Sequence, residues 1–288
     1  MITWHVRLEG ADDWTGFRTA ARHLLAHDVP AQGIAWSWQV RQHGPAGPCA
    51  DQTLLAPETR PGLAPVDVAE RLPVDKSSAR AFRVPARALE ICRGASLHRD
   101  EQRFALVYRW LQRLRAGAIA ADDALDPDHR RLARMARAVS RDMHKMRAFV
   151  RFRPLARPDG LADLHVATFE PEHHVARANA DFFVRRFTNM HWMIVTPEVG
   201  LRWDGDTRTL TELPGSGTHE LPAADAGEAL WLTYYRSTFN GARLKPAAMV
   251  REMPRRYWKH LPEARLISGL IQESTRAAST GDGGQPTG

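Results

Sequence analysis

The sequence predicts an α+β protein: a mixed or antiparallel sheet packed with helices, a helical C-terminal part and a disordered tail. Two patterns carry that prediction. Short runs rich in β-branched and aromatic residues recur at 1–8, 34–40, 164–169, 190–196 and 199–203. Between them lie stretches with apolar residues three and four apart, the helical period. A hydrophobic content of 43% over 288 residues is enough for one large core or two smaller ones.

The elements follow in order. A strand at 1–8 opens the chain, and Asp12 or Asp13 caps a helix reaching about 27, with Phe17, Ala20, Ala21, Leu24 and Leu25 on its apolar face. A second strand spans 34–40. Residues 42–74 are rich in Pro and Gly and weakly periodic, which fits a long excursion with one or two short strands, or a linker. Helices are expected at 86–93, at 98–115 with Phe104, Val107, Tyr108, Leu111 and Leu114 on one side, and at 127–147. Strands at 148–154 and 164–169, a helix at 172–187, and strands at 190–196, 199–203 and 207–213 come next. Helices at 225–239, 244–253 and 263–273 close the ordered part. Residues 274–288 are Ser/Thr/Gly-rich without an apolar anchor and read as a disordered, linker-like tail. The organisation is therefore an N-terminal α/β portion (1–84), a main α+β domain (85–273) and the tail.

Lys and Arg outnumber Asp and Glu by 40 to 33, nearly all of them Arg, for a net charge of +7 and a pI near 10.0. Arg pairs bidentately with phosphate and stacks on aromatic rings. Only Cys49 and Cys92 occur, with no CxxC spacing, so zinc ribbons, iron–sulfur clusters and disulfide scaffolds lose support. No apolar run approaches a membrane span and the N-terminus lacks a signal-peptide pattern, so a cytoplasmic location is expected.

The segment 127–147 is the most informative. At 100° per residue, Leu132, Met135, Val139, Met143 and Met146 fall on one side. Arg130, Arg134, Arg137, Arg141 and Lys145 fall opposite, with His144 beside them. Across 129–157 there are ten Arg or Lys and one acid, Asp142, and the charge continues through Arg147, Arg151, Arg153 and Arg157. Like charges one turn apart repel, and a phosphate backbone relieves that repulsion by releasing counterions. The plainer alternative is a solvated face in an Arg-rich protein. A second cluster holds Arg243, Lys245, Arg251, Arg255, Arg256 and Lys259, interleaved with Tyr257 and Trp258. Those rings either stack on unpaired bases or anchor the chain in the core after Pro254.

Thirteen His make metal worth testing. Glu172-His173-His174 and Asn189-Met190-His191 come nearest to a ligand group, but neither has zinc spacing, and adjacent His173 and His174 point apart on a helix. His173 or His174 fits the first turn of the helix there, and neither a metal nor another cofactor is expected. No GxSxG, GxxxxGK[ST] or GxGxxG pattern is present. His144, Lys145, Asp142 and His191 remain only as isolated acid–base candidates.

Three stretches, VSRDMHKMRAFVRFR (139–153), ATFEPEHHVARANADFFVRRFTNMHWMIVTPEVGLRWDG (167–205) and ALWLTYYRSTFNGARLKPAAMVREMPRRYWKHLPEA (229–264), closely resemble a bacterial family tied to DNA repair and DNA metabolism. The resemblance covers most of the chain from about residue 85. It implies a neighbouring radical-SAM protein as partner, and similarity to the N-terminal half of fusions that carry a UdgX-type uracil-DNA glycosylase. The family positions are His144, Lys145, Phe149, Arg151, Phe152, Phe183, Arg186, Phe187, Trp192, Pro254, Tyr257 and Trp258. Related sequences often carry an acid where this one has Thr196. No GQDPYH-like loop or KRRIH-like segment is present, so uracil excision is not expected of this chain itself. The chain is expected to be either a stand-alone form or the excised half of a fusion.

The expectation is thus a non-catalytic accessory module that contacts DNA through Arg130, Arg134, Arg137, Arg141, His144, Lys145, Arg151, Arg153 and Arg186, with the 251–259 cluster. It would support a uracil-DNA glycosylase or radical-SAM partner. Two alternatives stay open. One is an enzyme acting on DNA or a modified base, with a pocket near His144, Lys145 and Arg151 and a contribution from His173 or His191. The other is a protein–protein scaffold that never touches DNA.

Overall fold

A computed structural model describes residues 4–38, 62–73, 83–155, 164–215 and 257–258. They fall into two compact units, Met1–His144 with Pro171–Ala178, and Lys145–Glu170 with Asn179–Gly288. The expected α+β class holds.

In the first unit β1 (Trp4–Leu8) and β2 (Ile34–Trp38) pair in parallel, Trp4 opposite Ile34 and Leu8 opposite Trp38. Parallel neighbours need a crossover, and α1 (Trp14–Ala26) supplies it. The Asp13 carboxylate accepts the Gly16 N–H at 2.7 Å, capping α1. Phe17, Ala20, Ala21, Leu24 and Leu25 are buried in one core with Val6 and Leu8.

A helix lies where the sequence is weakly periodic. α2 (Pro65–Arg71) starts on Pro65, whose fixed φ suits a first helical residue. The Asp67 carboxylate accepts the Ala64 N–H at 3.0 Å. Just before it Leu63 joins the free edge of β1, accepting from Arg7 N–H at 2.8 Å and donating to His5 O at 2.7 Å.

α3 (Ala86–Ser96), α4 (Arg103–Arg115) and α5 (Pro127–Phe149) follow. α4 starts five residues later than its apolar period implies. Residues 98–102 turn instead, with the His98 Nδ1 and Asp100 Oδ1 atoms accepting the Asp100 and Gln102 N–H groups at 3.0 and 2.9 Å. At the start of α4, Arg103 is fully buried and donates to the backbone carbonyls of Ser96, Asp100 and Ala11. Its guanidinium carbon also sits 4.1 Å from the Trp38 ring centroid. Gly94 lets α3 approach α5 closely: a Cβ there would lie 3.0 Å from the Ala136 Cβ.

The second unit is built on a five-stranded mixed sheet in the order β3 (Arg153–Leu155), β4 (Leu164–Thr168), β5 (Trp192–Val195), β6 (Val199–Asp204), β7 (Thr209–Pro214). Only β4 and β5 run parallel. The helix α6 (Ala176–Arg186) lies in sequence between them. The expected strand at 148–154 is corrected: α5 continues through Phe149, and the Val150 N–H still bonds to Met146 O at 3.1 Å. The helix expected from 172 begins at Ala176, so His173 and His174 precede it rather than forming its first turn. The buried Asp142 carboxylate accepts the N–H groups of Glu172 and His173 at 2.7 and 2.9 Å, holding them in a bend.

Aromatic residues fill the second unit's core. Phe152 meets Phe183, Phe187 and Trp192 with centroids 5.1 to 6.3 Å away. Tyr257 stacks on Phe169 at 5.0 Å and touches Phe149 at 5.7 Å. The helices expected at 225–239, 244–253 and 263–273, and the tail, lie outside the described residues. Among the described residues no helix is long and apolar enough to cross a membrane.

Candidate nucleic-acid interface

α5 is amphipathic as its sequence requires. Leu132, Met135, Val139 and Met146 are buried, and Met143 is partly so. The acids at its N-terminus are held from inside the fold. Asp126 Oδ1 accepts the His129 N–H at 2.8 Å while its other oxygen pairs with Arg113 at 2.6 Å. Asp128 takes Arg109 and Arg113 together. Burial pushes the Asp128 carboxyl upward, but the two guanidiniums outweigh it and hold it below the ordinary carboxylate range.

The same sorting applies along the helix. Arg131 reaches Asp100 at 2.7 Å. Arg147 donates to Asn179 Oδ1 at 2.8 Å and lies 4.9 Å from the Phe182 ring centroid. Arg130, Arg134, Arg137 and Arg141 are different: all four are exposed. Among the described residues none of these four side chains has a hydrogen bond or an ion pair. Spacings of four, three and four keep them on one face, and at 1.5 Å per residue the row is about 16 Å long. His144 is exposed and Lys145 partly exposed.

Beside the row's first three arginines lies a groove of about 300 Å³, lined by Ala124, His129, Arg130, Ala133, Arg134 and Arg137. The His129 ring stacks on Trp110, centroids 5.9 Å apart and planes 25° apart. Trp110 is fully buried. Its indole N–H and His129 Nδ1 are both shielded from solvent and without hydrogen-bond partners. His129, Ala124 and Ala133 carry no charge pattern that a sequence reading could have used.

The other expected contact residues belong to several elements of the second unit. Arg151 donates to Ala148 O at 2.6 Å and Val150 O at 3.2 Å, closing the end of α5. Arg153 is half-buried in β3, and Arg186 is exposed in the last turn of α6. Tyr257 is 1% exposed and Trp258 half-buried, so Tyr257 offers no open ring face to a base. Arg251, Arg255, Arg256 and Lys259 lie outside the described residues.

Two histidine arrangements bear on catalysis and metal. The His98 and His173 rings lie 4.4 Å apart. Their Nδ1 atoms accept the backbone N–H groups of Asp100 and Arg99, so in the neutral rings Nε2 carries the proton. Burial, reinforced by the His98 charge, holds the His173 imidazole down to about 4. These are satisfied structural histidines, without a free nitrogen lone pair for a metal. His191 lies in the second unit between two acids of the β6–β7 turn, its Nδ1 3.7 Å from Asp204 and its Nε2 3.5 Å from Asp206. Its Nδ1 also accepts the Gly205 N–H at 3.4 Å, and His191, Asp204 and Asp206 bring one possible metal-ligand atom each to within 4.8 Å of one another. Asp142, the lone acid of the basic run, is committed to the backbone of 172–173.

The family model for a domain of unknown function, DUF4130, matches residues 101–263, a segment that includes the whole arginine row. Neither the curated proteins nor the solved structures compared with the chain contain a match.

Proposed function

This chain belongs to the DUF4130 family, and we propose that it is a DNA-repair accessory module that holds the phosphate backbone along α5. Arg130, Arg134, Arg137 and Arg141 make the contact, extended by His144 and Lys145. One observation carries the reading. The arginines around the row (Arg109, Arg113, Arg131) are neutralised by Asp126, Asp128 and Asp100, whereas those of the row face solvent without partners among the described residues. Four cations at one-turn intervals, with no acid between them, repel one another until a polyanion docks. Contacts to phosphate fix position without reading sequence.

On this reading the chain raises the local concentration of a catalytic partner on DNA rather than doing chemistry itself. The resemblance described above supports a UdgX-type glycosylase or a radical-SAM protein as that partner. The test is a fluorescence titration of labelled single- and double-stranded DNA at low salt. Parent protein binds both regardless of sequence, and the Arg134→Glu, Arg137→Glu, Arg141→Glu triple variant loses binding while keeping its circular dichroism. No binding by the parent at low salt discards the proposal and leaves a protein–protein scaffold.

A further inference from the structure

We infer that the groove at the N-terminal end of the row is a subsite for the terminal phosphate of a DNA strand, so that the module prefers strand ends and nicks to continuous backbone. The inference rests on the DNA-binding reading and goes beyond it, because a plain cation row makes no distinction between an end and the middle of a strand.

The argument begins with charge density. Arg130, Arg134 and Arg137 all line one groove, with His129 as a fourth polar wall. An internal phosphodiester carries one negative charge and two free oxygens, so it saturates one guanidinium fork. A terminal monoester carries about −1.5 to −2 at neutral pH and three acceptor oxygens, so it can accept from more than one of the guanidiniums that line the groove. Arg141, one turn further on, lies outside the groove lining and remains for ordinary backbone.

Room and shape give a second line. Alanines at 124 and 133 supply the other walls, and larger side chains there would fill the space. The volume of about 300 Å³ lies at the small end of ligand pockets, suited to a phosphate with part of its sugar.

The test uses the full chain and three short oligonucleotides of one sequence, ending in a 5′-phosphate, a 3′-phosphate or hydroxyls only, each labelled away from the end in question. One phosphorylated form is expected to bind about tenfold more tightly than the hydroxyl form, the gain of a charge-assisted bidentate contact. That ratio falls to about one in Ala133→Leu, which fills the groove without altering charge, and in Arg130→Gln. It persists in Arg18→Gln, a charge-matched change on the exposed side of α1. Inorganic phosphate is expected to compete with the phosphorylated oligonucleotide at lower concentration than with the hydroxyl form. Equal affinity for all three oligonucleotides overturns the subsite and leaves the row intact as a DNA contact. A preference that survives both groove variants also overturns it. Failure to bind any oligonucleotide removes both readings together.

Discussion

The row makes a quantitative demand on how DNA binding responds to salt. On continuous backbone away from a strand end, four exposed guanidiniums without internal partners among the described residues would neutralise about four phosphates. The row's length of about 16 Å covers about five steps of one strand at 3.4 Å each. Counterion release then gives a log–log salt slope of about −3.6 on duplex DNA and about −2.8 on single strands. Raising salt from about 50 to about 200 mM should weaken duplex binding by about 150-fold and single-strand binding by about 50-fold. Changing one row arginine to Gln should make the duplex slope shallower by about 0.9, and changing two by about twice that. Arg113→Gln, whose charge is spent on Asp126 and Asp128, should leave the slope alone even if it costs stability. The assay is fluorescence anisotropy across a salt series for the parent and each variant. A parent slope shallower than about −2, or equal slopes in the parent and the row variants, would refute four-point phosphate contact.

Other consequences follow from the same geometry. Arg103→Met should lower stability by about 2 to 4 kcal/mol in denaturant unfolding, because three backbone carbonyls, that of Ser96 in a buried bond, lose a charged donor. Stability should fall as pH drops. His173 is held at about 4 against an ordinary 6.5, so the unfolded chain binds the extra proton between those values. The contribution is full above pH 6.5 and lost on descent to about pH 4, on the order of 3 kcal/mol; His173→Gln should flatten that part of the melting-temperature profile. Tyr257→Ala should cost about 3 to 5 kcal/mol by opening the stack with Phe169 and Phe149, and an unchanged melting temperature would show that the ring is not a core anchor. Ala138→Glu, one turn from both Arg134 and Arg141, should stabilise the protein by about 0.5 to 1 kcal/mol while weakening DNA binding.

The two faces of α5 were legible because the helical period sorts its residues without help from the rest of the chain. Leu132, Met135 and Val139 are buried and Arg130, Arg134 and Arg137 exposed, as that period requires. Boundaries were less legible where side chains compete for backbone hydrogen bonds. Asp100 accepts the Gln102 N–H that a helix beginning at 98 would have turned back on itself, and Asp142 holds 172–173 in a bend ahead of α6 from thirty residues away. The run Phe149-Val150 has strand-like residues, yet Phe149 ends a helix against Tyr257 and the Val150 N–H still bonds to the Met146 carbonyl. α2 is too short and too close to Pro for a periodic signal. The groove was invisible because Ala124 reaches it from the loop before α5 and its other walls, His129 and Ala133, carry no charge pattern. Tyr257 stood open between a base-stacking platform and a core anchor until its burial was known.

Net charge therefore carries less of the functional argument than the distribution of that charge. Arg130 and Arg131 are neighbours in sequence and identical in type, but the 100° turn between them brings one to Asp100 and leaves the other in solvent. The row contains three like-charged neighbours at three- or four-residue spacing, each costing a few tenths of a kcal/mol, or about 1 kcal/mol in all. An adjacent glutamate would remove most of that cost, as acids already do for Arg109, Arg113 and Arg131. A fold that neutralises Arg109, Arg113 and Arg131 and leaves these four exposed keeps a standing repulsion that a docked polyanion would relieve. If Ala138→Glu raises stability without weakening DNA binding, that repulsion serves no ligand and the case for α5 as a DNA contact falls with it.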